Sequence, residues 1–217
     1  MAALVENQFF PSVAWFALHF QTKDVFIEQH ENYQKRGLRN RYQISTANSL
    51  RWMTLPLIKG KHQRTPIKEV RVSYDLKWQD NHIKTLKSAY AKAPFFSYYY
   101  DKFATFYKSD HLLLWQWQLK SVELVCELLD LVFEPKFSVS YEKNPANKSD
   151  FRDQLTSSAT NLSRLETQNW SYYPQVFEDR HGFLANLSIL DLLFCQGPAS
   201  VDYIEKMPLL KSPKSTL

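Results

Sequence analysis

Residues 2–28, AALVENQFFPSVAWFALHFQTKDVFIE, decide the fold class. AALVE (2–6) is apolar up to Glu6 and runs straight into QFFPS, a turn-like stretch that a helix seldom tolerates, so it reads as a short buried strand. Ser12 is a good N-cap for a helix from Val13 to about Gln21, in which Val13, Phe16, Ala17 and Phe20 recur at i, i+3, i+4 and i+7. After Asp24, the run Val25-Phe26-Ile27 has the compact apolar character of a second buried strand. A helix that joins two strands of one sheet carries the chain back to the starting end of the first, so the two pair in parallel. The expected fold class is therefore α/β, with a small, mainly parallel sheet and packed helices.

Outward from this unit, Asn40–Ser45 and Arg51–Pro56 read as a hairpin, and IKEVRVS (67–73) alternates apolar and charged residues as a near-edge strand would, burying Ile67, Val70 and Val72. Helical spacing covers 78–91 and 97–107, broken at Pro94, and most strongly 112–131. Residues 143–169 are polar and without a period, which predicts an exposed loop or lid. Ser188 can cap a last helix, 189–196, which Gly197-Pro198 ends.

A chain of 217 residues, 44% apolar and 15% aromatic, has material for one large core, so residues 1–206 read as one domain and 207–217 as a disordered tail. Its four glycines (Gly37, Gly60, Gly182, Gly197) are scattered, which excludes GxGxxG and Walker A phosphate cradles. Cys126 and Cys195 sit in apolar helical patterns outside any metal spacing and read as buried thiols, and no metal site is expected. No basic start precedes an h-region and no run approaches about 18 uncharged apolar residues, so a cytoplasmic chain without a transmembrane segment is expected. Charge is unevenly spread: Lys35–Lys77 holds eleven basic residues against two acidic, a local +9, leaving −4 for the rest of a chain whose total is +5. Such a field suits an anionic partner, a nucleotide-linked or phosphorylated small molecule or RNA such as tRNA, although a solvated basic face has the same composition.

Three segments offer chemistry. In the loop after the first strand, Gln8 and Pro11 stand where α/β sheets bind ligands, beside a helix N-terminus with free N–H groups; Phe9, Phe10 and Trp15 there read equally as plain core. HENYQKRGLRNRYQI (30–44) follows the second strand and is dense in groups that hold anions or move protons, with Asn32, Gln34, Lys35 and Asn40 as binding candidates. On a strand, period two sets Arg39 and Arg41 on one face as a phosphate or carboxylate clamp, and His30 beside Glu31 forms a candidate acid/base pair. In RHGFLANLSILDLLF (180–194), His181, Ser188 and Asp191 converge on a helix start as a catalytic or anion-binding group, or as an ordinary cap with a first-turn acid.

Taken in order over about residues 4 to 198, the blocks QFFPSVAWF, HENYQKRGLRNRYQI, TPIKEVRVS followed by Trp78 and His82, SAYAKAPFFSYYY and HGFLANLSILDLLFCQGP resemble the WbqC-like family. Phe9-Phe10-Pro11 stands where members often carry YLP or a similar triplet, and Trp15-Phe16 where they carry Gly-Tyr or Gln-Tyr; the changes stay aromatic and bear on pocket shape. The resemblance implies a bacterial protein of O-antigen, lipopolysaccharide and other polysaccharide gene sets, and a transferase role on a sugar with an acyl, glycyl or other aminoacyl donor. The order of strand, Pro-containing loop, helix and strand is also similar to the HIGH-type, Rossmann-like nucleotide-binding fold, without its HxGH signature, so a nucleotide donor is a second expectation. The leading expectation is a transferase in which Lys35, Arg39 and Arg41 clamp phosphates while His30 or His181 moves a proton; the other is a non-catalytic module that binds anions or RNA.

Overall fold

The computed structural model of the chain describes residues 2–58, 64–155 and 170–208. The opening stretch forms strand β1 (Ala2–Glu6), helix α1 (Val13–Gln21) and strand β2 (Val25–Glu28), with β1 and β2 parallel and in register from Ala3↔Val25 to Glu6↔Glu28. The hairpin follows as β3 (Arg41–Ser45) and β4 (Leu50–Thr54), antiparallel and separate from the first sheet. Helices α2 (Trp78–Tyr90), α3 (Phe96–Phe106) and α4 (Leu114–Leu128) come next, and then the short strands β5 (Lys136–Phe137) and β6 (Lys148–Asp150). The chain continues through α5 (Glu178–His181), α6 (Ile189–Gln196) and α7 (Ser200–Lys206).

The main sheet has the order β5-β2-β1-β6, and every neighbouring pair is parallel. The chain leaves β1 toward β2 and β5 and returns on the other side of β1 with β6, so the strand order reverses beside β1. In open parallel sheets that reversal opens a crevice beyond the carboxyl ends of the strands. Apolar side chains from β1, β2 and α1 are buried together with α4 and α6 in one continuous core. Phe10, in the β1–α1 loop, has φ of 44°, a conformation that costs a bulky residue about 1–3 kcal/mol. It is held there because its ring packs against Tyr42, Phe103, Phe106 and Tyr107, its N–H donates to Ser121 Oγ at 3.0 Å, and its carbonyl accepts from Ser188 Oγ at 3.0 Å. Aromatic pairs contribute about 0.5–1.5 kcal/mol each beyond area burial, enough together to offset that strain.

Two expectations are corrected. Residues 67–73 begin as a 3₁₀ turn, Ile67–Glu69, and then make only isolated bridges, Arg71↔Leu113 and Leu57↔Val72. Ile67, Val70 and Val72 are nonetheless buried, since three residues per turn bring 67 and 70 to one side as a strand does not. Within 143–169, Lys148–Asp150 is an edge strand of the main sheet, and Phe151 and Leu155 are buried. The backbone ladder needs no apolar period over three residues, so nothing in their pattern announced it; 156–169 lie outside the described residues. At the expected tail, Met207 is buried and its carbonyl accepts from Gln21 Nε2 at 2.9 Å, while 209–217 also lie outside the described residues.

Candidate functional site

Each strand of the main sheet delivers polar residues at its carboxyl end. Glu6 ends β1 and Asn7 and Gln8 follow it, all three fully buried; Glu28 ends β2 and Gln29, His30 and Glu31 follow it; Ser138 follows β5; Asp150, Arg152 and Asp153 lie at and beyond the end of β6. Parallel register sets Glu6 beside Glu28. Glu28 accepts from Ser138 Oγ and the His30 N–H, each at 2.7 Å, and lies 3.4 Å from Arg152, which itself grips Asp150 at 2.7 Å.

Arg39 links the segment that follows β2 to the segment that follows β6. Its Nε and Nη2 form a bidentate pair with Glu31 at 2.7 and 2.6 Å, and its Nη1 reaches Asp153 Oδ1 at 2.6 Å. Arg39 and Glu31 are buried, whereas the Asp153 side chain is 52% exposed, so the network runs from the interior to solvent. Glu6 completes it: Oε1 accepts from Gln8 Nε2 at 2.7 Å and Oε2 from the Asp153 N–H at 3.0 Å. Burial pushes the Glu6 carboxyl up to about 7, with Arg39 opposing and Asp153 adding to the rise. Gly37 is required by this packing, because a Cβ there meets Arg39 Nη1 at 2.7 Å and Asp153 Oδ1 at 3.4 Å. Among the described residues, no three carboxylates, imidazoles or thiols converge as metal ligands do.

The structure brings some expected residues to this edge and separates others. Glu31 and His30 belong to it, with His30 Nε2 3.1 Å from the Ser138 carbonyl. The Arg39–Arg41 clamp is corrected: β3 begins only at Arg41, and Arg39 turns inward to its acids, while Arg41 donates to the Gly37 and Arg36 carbonyls and stacks 4.1 Å from the Trp52 ring centroid. Asn40 is occupied by Tyr33 OH and the Leu55 carbonyl; Asn32, Gln34 and Lys35 lie at the surface. The free N–H groups expected at two helix starts are also corrected. Val13 N–H donates to Leu187 O and Ile189 N–H to Pro11 O, with the two N-caps, Ser12 and Ser188, bridged between them. Ala14 N–H donates to Asn186 Oδ1, and Leu190 N–H to Ser188 Oγ. Each helix start thus saturates the other, and Gln8, whose Oε1 accepts from the Ser12 N–H, serves the same loop. Asp191 is fully buried and bound by Tyr90 OH, Tyr173 OH and Gln175 Nε2 at 2.8–2.9 Å, and His181 Nε2 meets the Thr46 carbonyl at the β3–β4 turn, so neither meets His30 or Glu31.

Sequence reasoning missed Glu6, Asn7, Glu28, Gln118, Ser138, Arg152 and Asp153. A usable signal existed for the first: Glu6-Asn7-Gln8 is an abrupt polar triplet at the carboxyl end of an apolar parallel strand, where ligands bind. Asp153 carried no such signal, since it lies 114 residues from its partner Arg39. The fold and this edge together define an α/β protein with a buried ionic network at the reversal of a parallel sheet. The model of the WbqC-like protein family matches residues 7–161, and the chain belongs to that family. A curated relative, the uncharacterized protein Rv1507c of Mycobacterium tuberculosis (strain ATCC 25618 / H37Rv), is 24% identical over 228 residues, covering 93% of this chain and 96% of that protein. No solved structure matches significantly. Among the described residues, no helix is long and apolar enough to cross a membrane.

Proposed function

We propose that the chain is a transferase of bacterial surface-polysaccharide (O-antigen type) biosynthesis, moving an acyl or aminoacyl group onto the amine of an amino sugar with Glu6 as general base. The observation that carries this reading is the Glu6 carboxyl, buried at the carboxyl end of β1 and pushed up to about 7 inside the Arg39 network. A base poised there is matched to an amine at neutral pH. After the ammonium sheds its first proton to solvent, the nitrogen bonds to the acyl carbonyl carbon while Glu6 takes a second proton from it. The bond from that carbon to the donor's leaving oxygen or sulfur breaks, and Glu6 passes the proton to the leaving atom. Among the described residues of this edge, five carboxyl groups (Glu6, Glu28, Glu31, Asp150, Asp153) stand against two arginines (Arg39, Arg152), a balance that suits a cation more than a phosphate and supports an amine acceptor over a phosphorylated carrier. Nucleotidyl transfer on a HIGH-type site ranks lower, because the α1 N-terminal amides are occupied. The polysaccharide setting comes from the family resemblance.

The test supplies purified protein with an acyl thioester or an aminoacyl ester and glucosamine. The N-acylated sugar is expected, with Glu6→Gln lowering kcat by at least about 100-fold and KM changed little. Equal turnover by Glu6→Gln sinks the assignment. A non-catalytic module for anions or RNA is the second reading, favoured by the exposed Lys35, Arg36, Arg51, Arg64 and Arg71 and by Arg41 stacked on Trp52. It predicts tRNA affinity that falls steeply from low to physiological salt, and a flat salt profile counts against it.

A further inference from the structure

The carboxyl edge of the main sheet also holds buried side-chain atoms with no hydrogen-bond partner. Asn7 directly follows β1 and is fully buried, yet neither Oδ1 nor Nδ2 has a hydrogen-bond partner. Gln118, within α4, is equally buried; its Nε2 donates to the Asn7 carbonyl at 3.1 Å and the Arg39 carbonyl at 2.8 Å, but its Oε1 has no partner. The two Nε2 bonds fix the Gln118 carboxamide against the backbone that follows Glu6 and the backbone that carries Arg39. Other buried carboxamides are used at both ends: Gln8 bonds Ser12 and Glu6, Gln175 bonds Leu184 and Asp191, and Asn186 bonds Ala14 and Leu155. Leaving one buried polar atom unpaired is costly, and three beside one charged network point to a second state in which they are paired.

We infer that Asn7 and Gln118 bind the ring hydroxyls of a sugar, Asn7 Nδ2 donating to one hydroxyl while Asn7 Oδ1 and Gln118 Oε1 accept from others. The set of two acceptors and one donor selects the ligand class. A fully ionised phosphate or carboxylate has no proton for the two acceptors, and an ammonium has no lone pair for the donor, whereas neighbouring hydroxyls supply both. This deepens the transferase reading and rests on it for the sugar's role as acceptor; the sugar contacts themselves are read out by binding alone.

Binding of glucosamine, N-acetylglucosamine, uridine diphosphate and adenosine to the full chain is measured by calorimetry for the parent, Asn7→Leu and Gln118→Met. The two sugars are expected to bind the parent, and each substitution to weaken them at least tenfold; Asn7→Leu, which removes two unpaired polar atoms and no hydrogen bond, is also expected to raise the Tm of the free protein by about 2–4 °C. Unchanged sugar affinity in both variants overturns the inference and leaves the Glu6 assay standing. A lowered Tm in Asn7→Leu, which marks atoms already paired by internal water, also overturns it, as does binding of uridine diphosphate or adenosine in place of the sugars. In the unaltered protein, the Asn7 side-chain amide resonance is expected to move when glucosamine is added; an unmoved resonance counts against the contact whatever the variants do.

Discussion

Glu6 and Asp191 are both fully buried carboxylates, and their surroundings differ in kind. Asp191 has three neutral donors on its two oxygens, from Tyr90, Tyr173 and Gln175, and nothing near it is left over. That network ties residues 173–175 to α6 and leaves no hydrogen-bonding capacity for a guest. Glu6 stands within a charged network that reaches solvent at the half-exposed Asp153, next to an asparagine with both polar atoms idle. Burial pushes both carboxyls up, so a raised pKa does not separate them. What separates them is completeness of pairing: a closed network fastens the fold, and an open one beside solvent is where a ligand completes the count.

The strongest way to break this comparison is to remove the arginine. Arg39→Met leaves the buried Glu31 without its cation beside Glu6, and a loss of about 3–5 kcal/mol in urea unfolding is expected. A loss below about 1 kcal/mol means that the ion network does not organise the edge. Asp191→Ala sharpens the contrast from the other side: it leaves two tyrosine hydroxyls and Gln175 Nε2 without their acceptor and is expected to lose about 2–4 kcal/mol, with sugar affinity unchanged. A tenfold loss of affinity in Asp191→Ala erases the distinction.

The smallest expected effect is in the pH dependence. Between about pH 4.5 and about pH 7 the folded chain keeps a proton on Glu6 that the unfolded chain releases, so this group's contribution falls as pH rises through that window and is flat above it. Burial holds His19 and His82 down at about 4, and they act oppositely: the unfolded chain takes up their protons first, so stability is lost as pH falls from about 6.5 toward 4. The difference between the parent and Glu6→Gln isolates the first effect, with the advantage of the parent shrinking by on the order of 2 kcal/mol from pH 4.5 to pH 7. A difference that stays constant with pH shows that Glu6 keeps an ordinary carboxyl and is not the poised base.

Much of the fold was legible because its signals are local. The caps Ser12 and Ser188, the break at Pro94 and the apolar runs of β1 and β2 all act within a few residues. The block 30–44 was legible as a site but not in its arrangement. Reading it as a strand from Asn40 set Arg39 beside Arg41 in period two, whereas pairing with β4 starts at Arg41, which frees Arg39 to turn toward Glu31.

From its sequence alone, this chain was bound to be a parallel α/β protein with a charged segment after its second strand, because strand, helix and turn preferences are settled between near neighbours. Which charges face a ligand was decided only in three dimensions. Asp153 meets Arg39, and Gln118 meets Asn7, across more than a hundred residues each. The N-termini of α1 and α6 consume each other's N–H groups across a still longer separation. Pairing of buried polar groups is a sum over the whole fold, and no window of sequence contains it.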